Sequence, residues 1–306
     1  MLALAVIHDV IHHGMHLFVV QRIWADAPNI AVYPNHWGQA SRNMQIRRLV
    51  LDNKGQQLGD VHRGSNPLLR LGPIMTTITS NLQQVRDRIR AACEAAGRAP
   101  AEVQLLAVSK TFGPQDVQAA WAAGQLAFGE NYIQEGVLKI SAFSALTNAN
   151  RHAVQWHCIG PIQSNKTRLV AEHFDWVHTV DRLKTAQRLS EQRPAGLAPL
   201  QVCIQLNVDG GANKSGVLAL EAAALAQQVA ALPGLCLRGV MSIPEPAPDF
   251  ASAVAVFARV RAVFDALRAD DPKLDTLSMG MSADLEAAIH AGSTQVRVGS
   301  AIFGAR

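Results

Sequence analysis

The 306-residue chain contains no C-x-x-C pair, no G-x-G-x-x-G turn, no Walker A lysine loop and no basic stripe. Its four cysteines, Cys93, Cys158, Cys203 and Cys236, lie far apart in apolar stretches. Cysteine in such settings packs as a small hydrophobe, which fits a reducing cytoplasm. The absent glycine motifs remove the dinucleotide and P-loop phosphate cradles. The net charge of +4 is concentrated at the start: residues 1–74 hold seven Lys/Arg against four Asp/Glu, and the remainder holds 21 against 20. A body so balanced offers no electrostatic footprint for nucleic acid. The first twenty residues, MLALAVIHDVIHHGMHLFVV, lack a basic n-region and are interrupted by Asp9 and four histidines, so they read as neither a signal peptide nor a membrane span. On a helix, His8, His12, His13 and His16 would share a face. With no carboxylate or cysteine to complete a site, they read as an incidental His-rich leader.

Near residue 75 the chain changes character. Turn-rich pieces such as NKGQQLGDVHRGSNP give way to SNLQQVRDRIRAACEAAG, in which Leu82, Val85, Ile89, Cys93 and Ala96 fall on one helical face. Ser80 with Gln83 resembles a capping box, and Gly97 suits a helix stop. The reading is therefore an N-terminal extension over 1–74, either disordered or translated from an upstream start, followed by a domain over 75–306. From there eight short apolar segments alternate with helix-length ones: EVQLLAVSK, QLAFGEN, WHCIG, WVHTVD, QVCIQLNV, LRGVMSI, TLSMGMS and QVRVGSAIF. Eight strand–helix units in about 230 residues predict a single closed (β/α)8 TIM-type barrel.

In such a barrel, chemistry gathers at the C-terminal ends of the strands. The first strand, LLAV, is followed by Ser109 and Lys110. A lysine there is either a solvated strand cap or a desolvated amine with a lowered pKa, nucleophilic toward carbonyls. Other strand ends carry Glu130 with Asn131, His157 with Gly160, Thr179 with Asp181, Asn207, Ser242 and Ser282. Lys110 would then face a shared cavity.

The last strand ends with Arg297, Gly299 and Ser300. Gly299 and Ser300 offer backbone N–H groups and a hydroxyl where barrels frequently bind phosphate. Ser282 is either a helix N-cap, an anion ligand, or both. Arg297 shares a strand face with Gly299 and needs an acceptor, whether a carboxylate or a ligand atom. The loops around Lys166 and Lys214 could attract anions, though Gly-Asn-Lys turns are commonly structural.

Together LLAVSK, FGENYIQEG, WHCIGPIQSNK, NKSGV, GVMSIP, LSMGMSADLEAAI and VRVGSAIFG resemble the pyridoxal phosphate homeostasis protein family from about Met75 to Arg306, in the order of every block. The resemblance implies a barrel related to the N-terminal domain of alanine racemase. It also implies a pyridoxal 5'-phosphate cofactor bound as a Schiff base to Lys110. By the same resemblance Arg297 lies beside the pyridine nitrogen, Ser282, Gly299 and Ser300 hold the phosphate, and Asn131 neighbours the ring. The implied role is cytoplasmic: binding pyridoxal phosphate in the homeostasis of vitamin B6 and amino acids, without turnover. The protein would be a monomer, with pyridoxal phosphate-dependent enzymes as candidate protein partners. Residues 1–74 have no counterpart in the resemblance.

The rival reading is a racemase or decarboxylase of the same barrel class. Such enzymes use a second domain and a second acid/base residue. The chain stops two residues after FG and has two tyrosines, Tyr33 and Tyr132, which leaves Tyr132, or less readily His157 or Cys158, for that role. A third reading is a barrel for another phosphorylated ligand.

Overall fold

The computed structural model of the chain describes residues 3–11, 15–23, 67–146, 154–211 and 214–304. It divides into two units, Met1–Leu69 and Arg70–Arg306. In the first, β1 (Ala3–Ile11) pairs antiparallel with β2 (Met15–Ile23). This corrects the helical-face expectation for the histidines. His8 and His16 are strand residues, opposite Phe18 and Val10, while His12 and His13 lie outside the described residues. The Val/Ile-rich composition explains the outcome, because branched side chains favour the extended backbone.

The second unit is a closed barrel of eight parallel strands. These are β3 (Gln104–Val108), β4 (Ala127–Glu130), β5 (Gln155–Cys158), β6 (Trp176–Val180), β7 (Leu200–Leu206), β8 (Leu235–Ser242), β9 (Thr276–Ser278) and β10 (Gln295–Val298). Each coincides with one of the eight segments read from the sequence, β5 and β7 starting one residue earlier than the segment and β8 two. Closure is made by β10 against β3, with Arg297 opposite Leu106 and Val298 opposite Ala107.

The helices between strands are α2 (Pro114–Ala122), α3 (Ile133–Leu146), α4 (Thr167–His173), α5 (Leu183–Gln192), α6 (Ala219–Ala230), α7 (Phe250–Asp270) and α8 (Leu285–His290), and a single turn, α9 (Ser300–Phe303), follows β10. Asp249 caps α7, its Oδ1 accepting from Ser252 N at 2.8 Å, a bond type worth about 1 kcal/mol. Among the described residues no helix is long and apolar enough to cross a membrane.

Strand alternation sorts the core. Leu105, Ala107, Val202, Ile204, Leu206, Val296 and Val298 join the large apolar layer between sheet and helices. The opposite parity points inward, where Leu106, Val108, Ala127 and Ile159 form one small cluster and Trp176, Cys203 and Met241 another. The rest of the interior is polar: His157, His178, Ser278, Gln295 and Arg297 are all buried there.

α1 (Pro67–Ala95) precedes the barrel. Leu82, Val85, Ile89 and Cys93 are buried as expected, and beyond Gly97 the Arg98 N–H closes on Cys93 O at 2.8 Å. Ser80, however, is not the helix start, since α1 begins at Pro67. Ile78, buried one turn before Leu82, extends the apolar face past Ser80, and packing overrides the capping signal. A chain beginning at Met75 retains all these buried positions. We expect it to melt at a temperature close to that of the full chain, and a large drop in scanning calorimetry would show that residues before Met75 contribute to the fold.

Candidate functional site

The closing seam of the barrel, β10 against β3, brings together several of the candidate residues. Gly299 follows Val298 beside the end of β3, and a Cβ there would come within 3.0 Å of Val108 O. Glycine lets the two backbones close with no side chain between them. Two residues beyond Val108, Lys110 lies partly exposed at the rim. Its turn is tied to α9 by Phe112 stacked on Phe303, with centroids 5.2 Å apart. Ser300 Oγ donates to Ser282 Oγ at 3.4 Å, bringing two of the predicted hydroxyls together.

α1 fastens both from behind: Asn81 Nδ2 donates to Ile302 O at 2.9 Å, and Arg88 Nη2 donates to Ser282 O at 3.0 Å while the same guanidinium pairs with Glu286. Ser282 is not the cap of α8. That position belongs to Asp284, whose Oδ1 accepts from Met281 N, so the Ser282 hydroxyl remains available for a ligand.

Below the rim sits Arg297, 4 % exposed. It finds its acceptors among neutral oxygens: Nη1 donates to Ser278 O at 2.7 Å and to Ser278 Oγ at 2.8 Å, and Nη2 donates to Ser242 O at 2.9 Å. Burial lowers its pKa to about 10, opposed by Asp284, so the guanidinium stays charged at neutral pH. From Ser278 the polar chain continues inward. His178 Nδ1 lies 3.1 Å from Ser278 Oγ, and His178 Nε2 lies 2.9 Å from His157 Nδ1. His157 in turn stacks on Trp176 at 5.1 Å.

Burial pushes the His157 pKa down to about 3 and holds His178 well below its ordinary value, the latter also through the charges of His157 and Arg297. Both rings are therefore neutral at physiological pH. Burial also raises the Cys158 thiol to about 12. Neither His157 nor Cys158 is then suited to exchange protons with a substrate, which leaves Tyr132, 55 % exposed, as the remaining rim candidate for that task.

Asn131 follows β4. Its buried Oδ1 has no hydrogen-bond partner among the described residues, and its carbonyl abuts the turn after β5, where a Cβ on Gly160 would meet Asn131 O at 2.0 Å. An orphaned acceptor at the rim, a charged guanidinium below it, two hydroxyls at the seam and a primary amine beside them fit an anionic ligand carrying a donor and an electrophile. On these observations the residues fit pyridoxal 5'-phosphate.

Besides the His157–His178–Ser278 chain, sequence reading missed a charge cluster. Lys139 of α3, 3 % exposed, donates to Ser109 O at 2.6 Å, Glu130 Oε1 at 2.8 Å and Glu135 Oε1 at 2.6 Å. Its only sequence signal is the Glu135/Lys139 spacing of four, which reads as an ordinary surface pair. The Lys214 loop is structural: Lys214 pairs with Asp209 at 2.7 Å and Glu245 at 2.8 Å, and the Asn207 side chain closes on Gly210 N and Gly211 O. Lys166 occupies the N-cap position of α4. Among the described residues no group of three or more His, Cys, Asp or Glu could hold a metal ion.

Residues 80–306 match the family described as alanine racemase, N-terminal domain. The chain is 57 % identical over 232 residues to a Pseudomonas aeruginosa protein named pyridoxal phosphate homeostasis protein, covering 76 % of this chain and 97 % of that one. A Vibrio alginolyticus protein of the same name is 54 % identical, covering 76 % of this chain and 99 % of the relative. Among solved structures, PipY of Synechococcus elongatus with PLP bound superposes with a TM-score of 0.63 at 34 % identity, over 74 % of this chain and 100 % of that one. Alanine racemase from Corynebacterium glutamicum shares the fold with a TM-score of 0.54 at 18 % identity, over 76 % of this chain and 62 % of the racemase.

Proposed function

The chain belongs to the pyridoxal phosphate homeostasis protein family, and from that membership and the rim of its barrel we propose that it binds pyridoxal 5'-phosphate through Lys110 and serves cytoplasmic vitamin B6 and amino-acid homeostasis without turnover of its own. When bound, the group supplies an aldehyde that condenses with a primary amine and a pyridine ring that can draw electrons from it. The chain's part is to hold and to restrain. Lys110 is the amine, Ser282, Gly299 and Ser300 are the phosphate donors, Asn131 is the acceptor beside the ring, and Arg297 faces the ring nitrogen.

Arg297 carries the reading. A guanidinium has no acceptor and stays charged here, so beside the ring nitrogen it would donate to it and leave it unprotonated, which would weaken the electron withdrawal that racemases and decarboxylases need. An Asp or Glu in its place would do the opposite. With His157 and Cys158 sealed in the core, a second acid/base group on the far face reduces to Tyr132. Homologues carrying the homeostasis name and the PLP-bound PipY structure support this reading over the racemase alternative. Pyridoxal phosphate-dependent enzymes are its candidate recipients, and the protein acts as a monomer.

The test is a visible spectrum of the purified protein with pyridoxal phosphate, borohydride reduction with mapping of the modified peptide, and incubation with L-amino acids in deuterated water. We expect label on the peptide holding Lys110 and negligible exchange at the alpha carbon. Multiple-turnover exchange that is lost in Tyr132→Phe would make the protein an enzyme.

A further inference from the structure

The residues on either side of Lys110 are both gripped by one buried charge cluster. Ser109 is held twice: its carbonyl accepts from Lys139 Nζ at 2.6 Å, and its hydroxyl donates to Glu130 Oε1 at 2.6 Å. Thr111 is held by its N–H, which donates to Glu135 Oε1 at 2.6 Å. Thr111 has φ +68°, the only non-glycine residue with positive φ among those described. A β-branched residue adopts that conformation only when its surroundings impose it.

The cluster is assembled by α3 lying close on β4. A Cβ on Gly136 would meet the Phe174 ring at 2.7 Å and Glu130 Cβ at 3.2 Å, so glycine makes room for the Glu130 stem beneath the helix. Lys139 then spends its three donors on Ser109 O, Glu130 and Glu135. An ion cluster with Lys139 and Glu130 buried and Glu135 partly exposed is a poor stabiliser compared with well-packed apolar residues. Its geometry is informative for another reason: every bond it makes outside itself goes to the residue just before or just after Lys110.

We propose that Glu135, Lys139 and Glu130 are positioning residues that fix the Ser109–Thr111 turn so that the Lys110 amine is presented to an aldehyde-bearing ligand. The proposal rests on the reading of Lys110 as the amine that bonds pyridoxal phosphate. Outside itself the cluster's side chains bond only the turn; the phosphate contacts lie on other elements, and the side chain of Asn131, next in sequence to Glu130, is not among its partners. It therefore governs how fast the covalent bond forms, and it does not govern how tightly the rest of the molecule is held.

Glu135→Ala tests this, because it frees the Thr111 N–H and leaves Lys139 bonded to Glu130 and Ser109. Two ligands are compared on the full-length protein: pyridoxal phosphate, followed by the growth of its visible band, and pyridoxine 5'-phosphate, whose alcohol cannot condense with an amine, followed by calorimetry. Bond formation is expected to slow by roughly tenfold to a hundredfold, the equivalent of one hydrogen bond to a charged group. Pyridoxine 5'-phosphate should bind within about twofold of wild type. Glu135→Gln, whose amide oxygen can still accept from Thr111 N, should restore the rate.

A purely structural cluster would lower the melting temperature and leave the two ligands in step. A wild-type rate in Glu135→Ala, or an equal loss for both ligands, overturns the proposal. Should Glu135→Ala fail to melt cooperatively, Glu135→Asp, one methylene too short to hold both Thr111 and Lys139, carries the same test. If the wild-type protein forms no covalent bond at Lys110, the underlying reading falls and this proposal with it. If wild type bonds and Glu135→Ala bonds equally fast, only the positioning role falls.

Discussion

Lys110→Ala is expected to abolish the visible band that the wild-type protein gains with pyridoxal phosphate, while the barrel stays folded. A primary amine at the C-terminal end of a barrel strand can condense with an aldehyde, and Lys110 occupies that place just past β3. Removing it deletes the proposed covalent bond. The proposed phosphate donors Ser282, Gly299 and Ser300 and the Arg297 guanidinium remain, so weaker, reversible binding should persist; each hydrogen bond to a charged group contributes about 1.5–3 kcal/mol. The fold should tolerate the change, because Lys110 lies past the end of β3 and is partly exposed, where substitutions usually cost within about 0.5 kcal/mol. Absorbance titration, borohydride reduction and mass mapping check the outcome. An unchanged band, or label on another lysine, would remove Lys110 from its role.

Much of this site is legible in the sequence because a parallel barrel writes its strands as short apolar runs and puts its polar residues just after them. All eight runs became strands, and the requirement that Arg297 find an acceptor was met, though by Ser278 and Ser242 oxygens and not by a carboxylate. What escaped was set by packing at long range. The His157–His178–Ser278 chain joins residues 21 and 100 positions apart. Inward strand parity is its only trace in the sequence. Lys139 reads as a solvated charge, and Glu130 as one more polar strand end, until α3 settles on β4 and buries both. Ser80 misled because a capping pattern is local, whereas the buried Ile78 carries the packed helical face past it. The hairpin of β1 and β2 was missed because histidine spacing suggested a helix in a segment whose branched residues favour strands.

Acid should weaken the fold well before its carboxylates titrate. His157, at about 3, and His178, well below its ordinary value, are both depressed by burial in the folded barrel. Unfolded, each returns to about 6.5. Between those limits the unfolded chain binds protons that the folded chain refuses. The stability contributed by the two neutral rings is therefore fully present above pH 6.5 and is lost progressively as pH falls toward 3, at about 1.4 kcal/mol per pH unit for each histidine. Glu130 works in the other direction. Burial raises its carboxyl above 4.5, so the folded state takes up a proton there before the unfolded state does, offsetting at most one of the two in the lower part of the window. The net loss from pH 6 to pH 5 should correspond to between one and two protons. Denaturant midpoints measured at half-unit steps from pH 7.5 to pH 4.5 would give the slope, and His157→Gln should reduce it by about one proton's worth. A flat profile between pH 7 and pH 5 would mean that both rings titrate in the folded protein. Solvent would then reach the barrel interior, and Arg297 would not stand in the dry, neutral surroundings on which its proposed role at the ring nitrogen depends.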